Sequence, residues 1–185
     1  MALTQQQLAQ REGKLTASAV GALMSGNPEK IRDLWRELIG DPDFVRPDLS
    51  HIWPVRLGSH TESLNLDWYE ERAKYPVSRR GEVVVHPKFD WAACTLDGWD
   101  SAYSVPIECK HVGGREPLSK VLARYHPQFH WQMIVTGTKE CRASIIEGAK
   151  EPRIEAIPFD PAYAAELWAR AEWFMQHVNN LTCPV

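Results

Sequence analysis

Apolar positions along the chain change their spacing several times, and each change marks an element. From Thr16 to Met24 small and apolar residues dominate, which predicts a short helix that Thr16 or Ser18 can cap and Gly26-Asn27 ends. Asn27 then caps a second helix with Pro28 at its first position, where a missing N–H costs nothing. Ile31, Leu34, Trp35, Leu38 and Ile39 recur at helical spacing until Gly40-Asp41-Pro42 closes it. Asp41 to Pro54 carries three prolines and little periodicity, so it reads as a loop. From about Ser59 to Lys74, Leu64, Trp68 and Ala73 sit among charges, which predicts an amphipathic helix containing Glu62.

The period then shortens. Glu82 to His86, Trp91 to Leu96 and Ser104 to Lys110 read as strands separated by turns at Pro87–Asp90 and Gly98–Ala102, an antiparallel meander. After a Gly113-Gly114 loop, Leu122, Phe129, Met133 and Ile134 give a helix from Leu118 to Thr136, which Pro127 is expected to kink or restart. Cys141 to Glu147 and Arg153 to Ile157 are two more strands. A helix from about Pro161 to His177 follows, with Tyr163, Leu167, Ala171 and Phe174 on one face. The expected architecture is α/β (α+β), a central mixed β-sheet flanked by helices. The 185 residues fit a single domain spanning 1–185.

Composition narrows the chemistry. A formal net charge of −3 gives no general attraction for polyanions, so any nucleic-acid contact must come from local basic groups. Cys94, Cys109, Cys141 and Cys183 show neither CxxC nor Cys/His spacing, which argues against a zinc site and a disulfide framework and fits a reducing cytosol. The N-terminus lacks a basic segment followed by an apolar one, and no apolar run is long enough to span a bilayer. A soluble protein that is not exported is expected.

The candidate chemistry sits at adjacent strand ends. Trp91-Ala-Ala-Cys-Thr-Leu-Asp97-Gly98 is followed by Pro106-Ile-Glu108-Cys109-Lys110. Alternation along a strand puts Glu108 and Lys110 on one face and turns Ile107 and Cys109 to the other, toward a core. Asp97 enters from the neighbouring strand just before Gly98. Two carboxylates can hold a hard cation, and an amine beside them can orient or deprotonate a water, as phosphodiester hydrolysis needs. The triplet alone means little, since Glu12-Gly-Lys14 is a second one.

With its surroundings, the chain resembles the phage lambda-type exonucleases, the YqaJ-like viral recombinase group of the PD-(D/E)XK nuclease superfamily. Five blocks in order carry the likeness: Arg11-Glu-Gly-Lys-Leu-Thr-Ala-Ser18, Gly58-Ser-His-Thr-Glu62, Ala93-Cys-Thr-Leu-Asp97-Gly98, Ile107-Glu-Cys-Lys110, and Gln128-Phe-His-Trp-Gln-Met133-Ile-Val-Thr136. They extend from about Arg11 to Thr136. The resemblance implies a restriction-endonuclease-like PD-(D/E)XK core in which Asp97, Glu108 and the backbone carbonyl of Cys109 hold Mg²⁺, with Mn²⁺ able to substitute. It further implies that Lys110 positions the attacking water, that Glu62 supports the metal site or its waters, and that Gln128 approaches the water or phosphate. Arg11, Ser18 and Thr95 would grip the 5′ phosphate of a DNA end, where a guanidinium offers a fork to phosphate oxygens. On the residues alone, Glu62 also reads as a solvated helix position, Gln128 as a surface amide and Ser18 as a helix cap. Leu96 stands where the family often has proline before the first aspartate, a change that affects a turn and no ligand.

The function so implied is a Mg²⁺-dependent 5′→3′ exonuclease on linear double-stranded DNA that leaves 3′ overhangs for a single-strand annealing protein. The expected setting is the cytoplasm of a bacterial host, with a phage or prophage origin. Two other readings stay open: a structure-specific or restriction-type endonuclease of the same superfamily, and a non-cutting DNA-binding derivative. A homotrimer ring is expected, because enclosure would keep an acidic protein on its substrate. Trp168 and Trp173 are candidates for subunit contacts or core. His86, His111, His126 and His130 lack ligand spacing and are expected to be structural or DNA-facing. One exposed tryptophan could stack on a DNA end.

Overall fold

The computed structural model describes residues 4–185; the first three residues of the N-terminal segment lie outside them. The chain opens with α1 (Gln5–Arg11), which the hydrophobic pattern did not predict. A capping box makes it: the Thr4 side chain accepts from the Gln7 amide at 3.2 Å, and Gln7 Oε1 accepts from the Thr4 amide at 2.6 Å. A two-residue strand β1 (Leu15–Thr16) leads straight into α2 (Ala17–Met24). Thr16 is the N-cap residue but makes no capping bond, and its hydroxyl is used elsewhere. Next is α3 (Pro28–Leu38), capped by Asn27, whose side chain accepts from the Glu29 and Lys30 amides.

The helix expected from about Ser59 begins earlier, as α4 (Trp53–Ala73). Pro54 lies within its first turn, where proline is tolerated, so a residue read as loop punctuation belongs to the helix. The strands β2 (Val77–Ser78), β3 (Val83–His86), β4 (Phe89–Thr95), β5 (Gly98–Asp100) and β6 (Val105–Val112) follow. They do not form one meander. Strand β4 pairs with β3 and β1, whereas β6 pairs with β5, inside the stretch expected to be a turn. Gly98 allows this crossing: a Cβ there would lie 2.7 Å from Val77 Cγ1 and 2.9 Å from Leu66 Cδ2.

Helix α5 (Leu118–Thr136) runs unbroken through Pro127. Then come β7 (Glu140–Glu147), β8 (Arg153–Pro158) and α6 (Pro161–Asn179), the last capped by the Asp160 carboxylate. The sheets have the orders β1-β4-β3 and β2-β5-β6-β7-β8, with β6 and β7 parallel. Mixed sheets flanked by helices are therefore the architecture, as the pattern predicts. Helix α5 is the centre of the packing. Trp131 and Val135 join α2, α3, α6 and β4, while Val121, Phe129 and Met133 pack on β7 and β8. Across β6, Ile107 and Cys109 meet Leu66 and Tyr69 of α4. The cysteines are all free thiols, three of them buried.

Trp168 and Trp173 both pack against the core cluster of α2, α3 and α6. Trp168 lies 5.0 Å from the Trp91 ring and 4.9 Å from the Phe89 ring. Both Trp168 and Trp173 are partly buried, packed against the core along one side and open along the other. No described helix is long and apolar enough to cross a membrane.

Candidate active site

Strand β6 lies between β5 and β7, so its side chains have a helix on either face. Ile107 and Cys109 face α4, and the alternation turns Glu108 and Lys110 toward α5. Glu108 is 1% exposed. Burying a carboxylate demands donors, and this one has three. Lys110 Nζ and the Gln128 amide both donate to Oε1, and the Gln132 amide donates to Oε2. Gln128 and Gln132 are one helical turn apart on α5, so a single helix face grips both oxygens.

Asp97 follows β4 at a pinned strand end, where the Leu96 amide donates to Glu82 O and the Gly81 amide donates to Leu96 O, each at 2.9 Å. Its Oδ2 accepts from the Cys109 amide at 2.7 Å. Burial, then the charge of Glu108, push the Asp97 carboxyl well above its ordinary pKa; Glu62 adds to this, while Lys110 and the Cys109 amide oppose it. Burial works against the Lys110 charge too, but Glu108 and Asp97 outweigh it and hold its pKa above the ordinary lysine value. The amine is thus held protonated beside two acids and suits orientation better than proton abstraction.

Arg11, on the last turn of α1, faces the same cleft. It donates to Thr95 Oγ1 at 3.0 Å and to the hydroxyls of Thr16 and Ser18, each at 3.5 Å. Those two hydroxyls are 3.3 Å apart. Burial, then Arg46, lower the Arg11 pKa. Strand β1 makes this arrangement: pairing Thr16 with Ala93 brings α1 and the start of α2 beside the end of β4.

One cleft is lined by Arg11, Ser18, Glu62, Thr95, Asp97, Glu108, Lys110 and Gln128. Eight of the nine expected residues thus converge from six elements, α1, α2, α4, β4 and the turn after it, β6 and α5. The ninth, Cys109, has its side chain in the α4 core and meets the site through its backbone. Sequence reasoning missed Gln132, whose place one turn after Gln128 was the available signal. It also missed Gln7, which donates to Gly81 O at 2.5 Å and lines the cleft, and Thr16.

The histidines are built into the structure. His111 Nδ1 is 3.1 Å from Thr61 Oγ1, and its Nε2 is 3.0 Å from Gly148 O. His130 accepts from the Asp160 amide at 3.0 Å, at the start of α6. Trp53 has the exposed ring, at 67%. Among the described residues no group of three or more His, Cys, Asp or Glu is placed to hold a metal. The donors at hand are carboxylate oxygens and backbone, and Asp97, buried beside Glu108, has the Cys109 amide as its donor. That set fits a hard cation that keeps several waters, such as Mg²⁺.

Residues 6–139 match the YqaJ-like viral recombinase domain. Among solved structures, an alkaline exonuclease (LHK-Exo) from Laribacter hongkongensis superimposes with a TM-score of 0.77 at 18% identity, covering 96% of this chain and 93% of that one. The same enzyme in complex with dAMP gives 0.73 at 19% identity, with the same coverage. A phage related exonuclease from Haemophilus somnus 129PT gives 0.72 at 10% identity, covering 91% and 94%. The sequence matches none of the curated proteins compared with it.

Proposed function

The chain belongs to the YqaJ-like viral recombinase domain family, and from that premise we propose that it is a Mg²⁺-dependent deoxyribonuclease that digests the 5′ strand of linear duplex DNA. The observation that carries this reading is the single cleft in which Asp97, Glu108 and Lys110 lie opposite Arg11, Ser18 and Thr95. An acidic pair alone would suit any nuclease. A guanidinium among hydroxyls beside it supplies a second anion site, as an enzyme that starts at a phosphorylated end requires.

Asp97 and Glu108, with the Cys109 carbonyl, would hold the Mg²⁺, which supplies charge neutralisation at the scissile phosphate and a more acidic bound water. Lys110, kept cationic by its acidic neighbours, orients the incoming water and balances the phosphate charge. Gln128 reaches from α5 to the same Glu108 oxygen as Lys110, close enough to present its amide to the water or phosphate. Glu62 adds negative charge across from Asp97 and suits a role in holding metal-bound waters. Arg11 and the Ser18 and Thr95 hydroxyls bind the terminal phosphate and set which bond reaches the carboxylates.

The product would be a 3′ overhang, available to a single-strand annealing protein in the cytoplasm of a bacterial host. A closed trimer would keep the acidic chain on its substrate; exposed Val45, Leu49, Ile52 and Val55 offer apolar surface for it. Linear, nicked and closed circular DNA incubated with Mg²⁺, with end-labelled product analysis, is the test. Loss of 5′ label from linear DNA with intact circles is expected. Cut circles would mean an endonuclease, and no cutting a DNA-binding derivative.

A further inference from the structure

Gly58 is a glycine that the chain's own packing does not require. It lies inside α4, where glycine is less favourable than alanine. It is not among the glycines of positive φ, so its backbone does not need the freedom. A Cβ there would meet nothing within 4 Å, in contrast to Gly98, where Val77 and Leu66 leave no room. The space that Gly58 leaves is open, and it opens into a second cleft.

That cleft, of about 350 Å³, is lined by Gly58 together with Thr61, Glu62, Asp97, Lys110, His111 and Tyr125. Its far wall is set in place. His111 is fixed between Thr61 and Gly148, and Lys110 Nζ lies 4.7 Å from the centre of the Tyr125 ring. Gly58 stands one helical turn before Glu62, on the same face of α4. Glu62, Asp97 and Lys110 border both this cleft and the one that contains Arg11. Asp97 and Lys110 therefore stand between two openings, while Glu108 faces the first alone.

Resting on the nuclease reading above, we infer that this second cleft holds the nucleotide on the 3′ side of the bond being cut, with Gly58 giving its sugar-phosphate room against α4. A 5′ phosphate held by Arg11 occupies the first opening, so the strand continues past the carboxylates through the second. The cleft has the size of a site for one nucleotide.

The test uses Gly58→Ala and Gly58→Leu, both favourable to a helix, beside Gly21→Ala as a control. Gly21 is also helical with open space at Cβ, and it lines neither cleft. All three variants should melt at or above the native temperature. Gly58→Leu should raise KM for 5′-phosphorylated linear duplex about tenfold with kcat little changed, Gly58→Ala should raise it less, and Gly21→Ala not at all. Affinity for the same duplex, measured by fluorescence anisotropy in an Asp97→Asn background, should fall in the same order. Native KM and affinity in both Gly58 variants would overturn the inference while leaving the nuclease reading intact. If the native protein did not cut, that reading would fail, and the anisotropy series would still decide whether DNA occupies the cleft.

Discussion

Glu108 and Arg11 line the same cleft and are held in opposite ways. Glu108 sits on an inner strand, 1% exposed, with both oxygens gripped by Lys110, Gln128 and Gln132. Arg11 ends a seven-residue helix and meets neutral hydroxyls at 3.0 to 3.5 Å. One group is fixed before anything binds. The other is held by weak acceptors that an incoming anion can replace or join, which is what a phosphate grip needs. Rigidity is thus concentrated where bonds would be made and broken, and adaptability where an end would be recognised.

Removing the fixed acids should have the largest effect. Asp97→Asn or Glu108→Gln should lower single-turnover cleavage of linear duplex by about a thousandfold or more, the range seen when a group that stabilises developing charge is lost. Circular dichroism should show both proteins folded. Cleavage by either variant above the level of a mock purification would remove these residues from the site.

Gln132→Leu comes next. It deletes the donor to Glu108 Oε2 while leaving Lys110 and Gln128 on Oε1, so the carboxylate loses its fixed orientation but not its charge. A loss of about 10- to 100-fold in cleavage or metal affinity is expected, as for other residues that orient a ligand from behind. Mg²⁺ titration of activity and calorimetric Mg²⁺ binding would check it. Unchanged values in both would mean that Gln132 serves packing alone.

The same contrast explains what could be read from the chain. Strand β6 and its Glu108/Lys110 face were legible because Val105, Ile107 and Cys109 recur at every second position and announce a strand with two faces. Strands β1 and β5, of two and three residues, are too short to show a period. Yet β1 is what brings Arg11 beside Thr95, and β5 is what separates β4 from β6. Pairing such as Ile107 with Arg142 in parallel register depends on distant chain, which local pattern does not encode. The start of α4 was hidden by Pro54, a residue that breaks helices except in the first turn, where it lies. Gln132 had one signal, its place one turn after Gln128 on α5, but its position inside an apolar run read as packing.

The adaptable side of the cleft should give a smaller effect. A 5′-phosphorylated end should be digested about tenfold faster than a 5′-hydroxyl end, the scale of one or two charged hydrogen bonds. Arg11→Ala should remove most of that difference and leave the rate on hydroxyl ends nearly native. Equal rates on both ends with the native protein would refute end recognition by Arg11.

The smallest effect is on stability, and it follows from the uneven satisfaction of the two acids. Asp97 has one backbone donor against the three side-chain donors of Glu108, and its pKa is raised above 3.8 by burial first and Glu108 second. An acid whose folded pKa exceeds its unfolded one binds more protons when folded, so stability declines as pH rises from about 4 toward the raised value. The raised Lys110 pKa does not blur this, because its stabilisation is fully present below 10.5 and is lost only above that. His126 and His130, whose pKa values burial lowers, push the other way near neutrality, but they are shared by both proteins and cancel in a difference. Metal-free Asp97→Asn should therefore gain on the native protein as pH rises above the ordinary carboxylate range. Urea unfolding midpoints in EDTA across that rise would measure it. Parallel curves for the two proteins would show that Asp97 ionises freely and that the two acids are held alike after all.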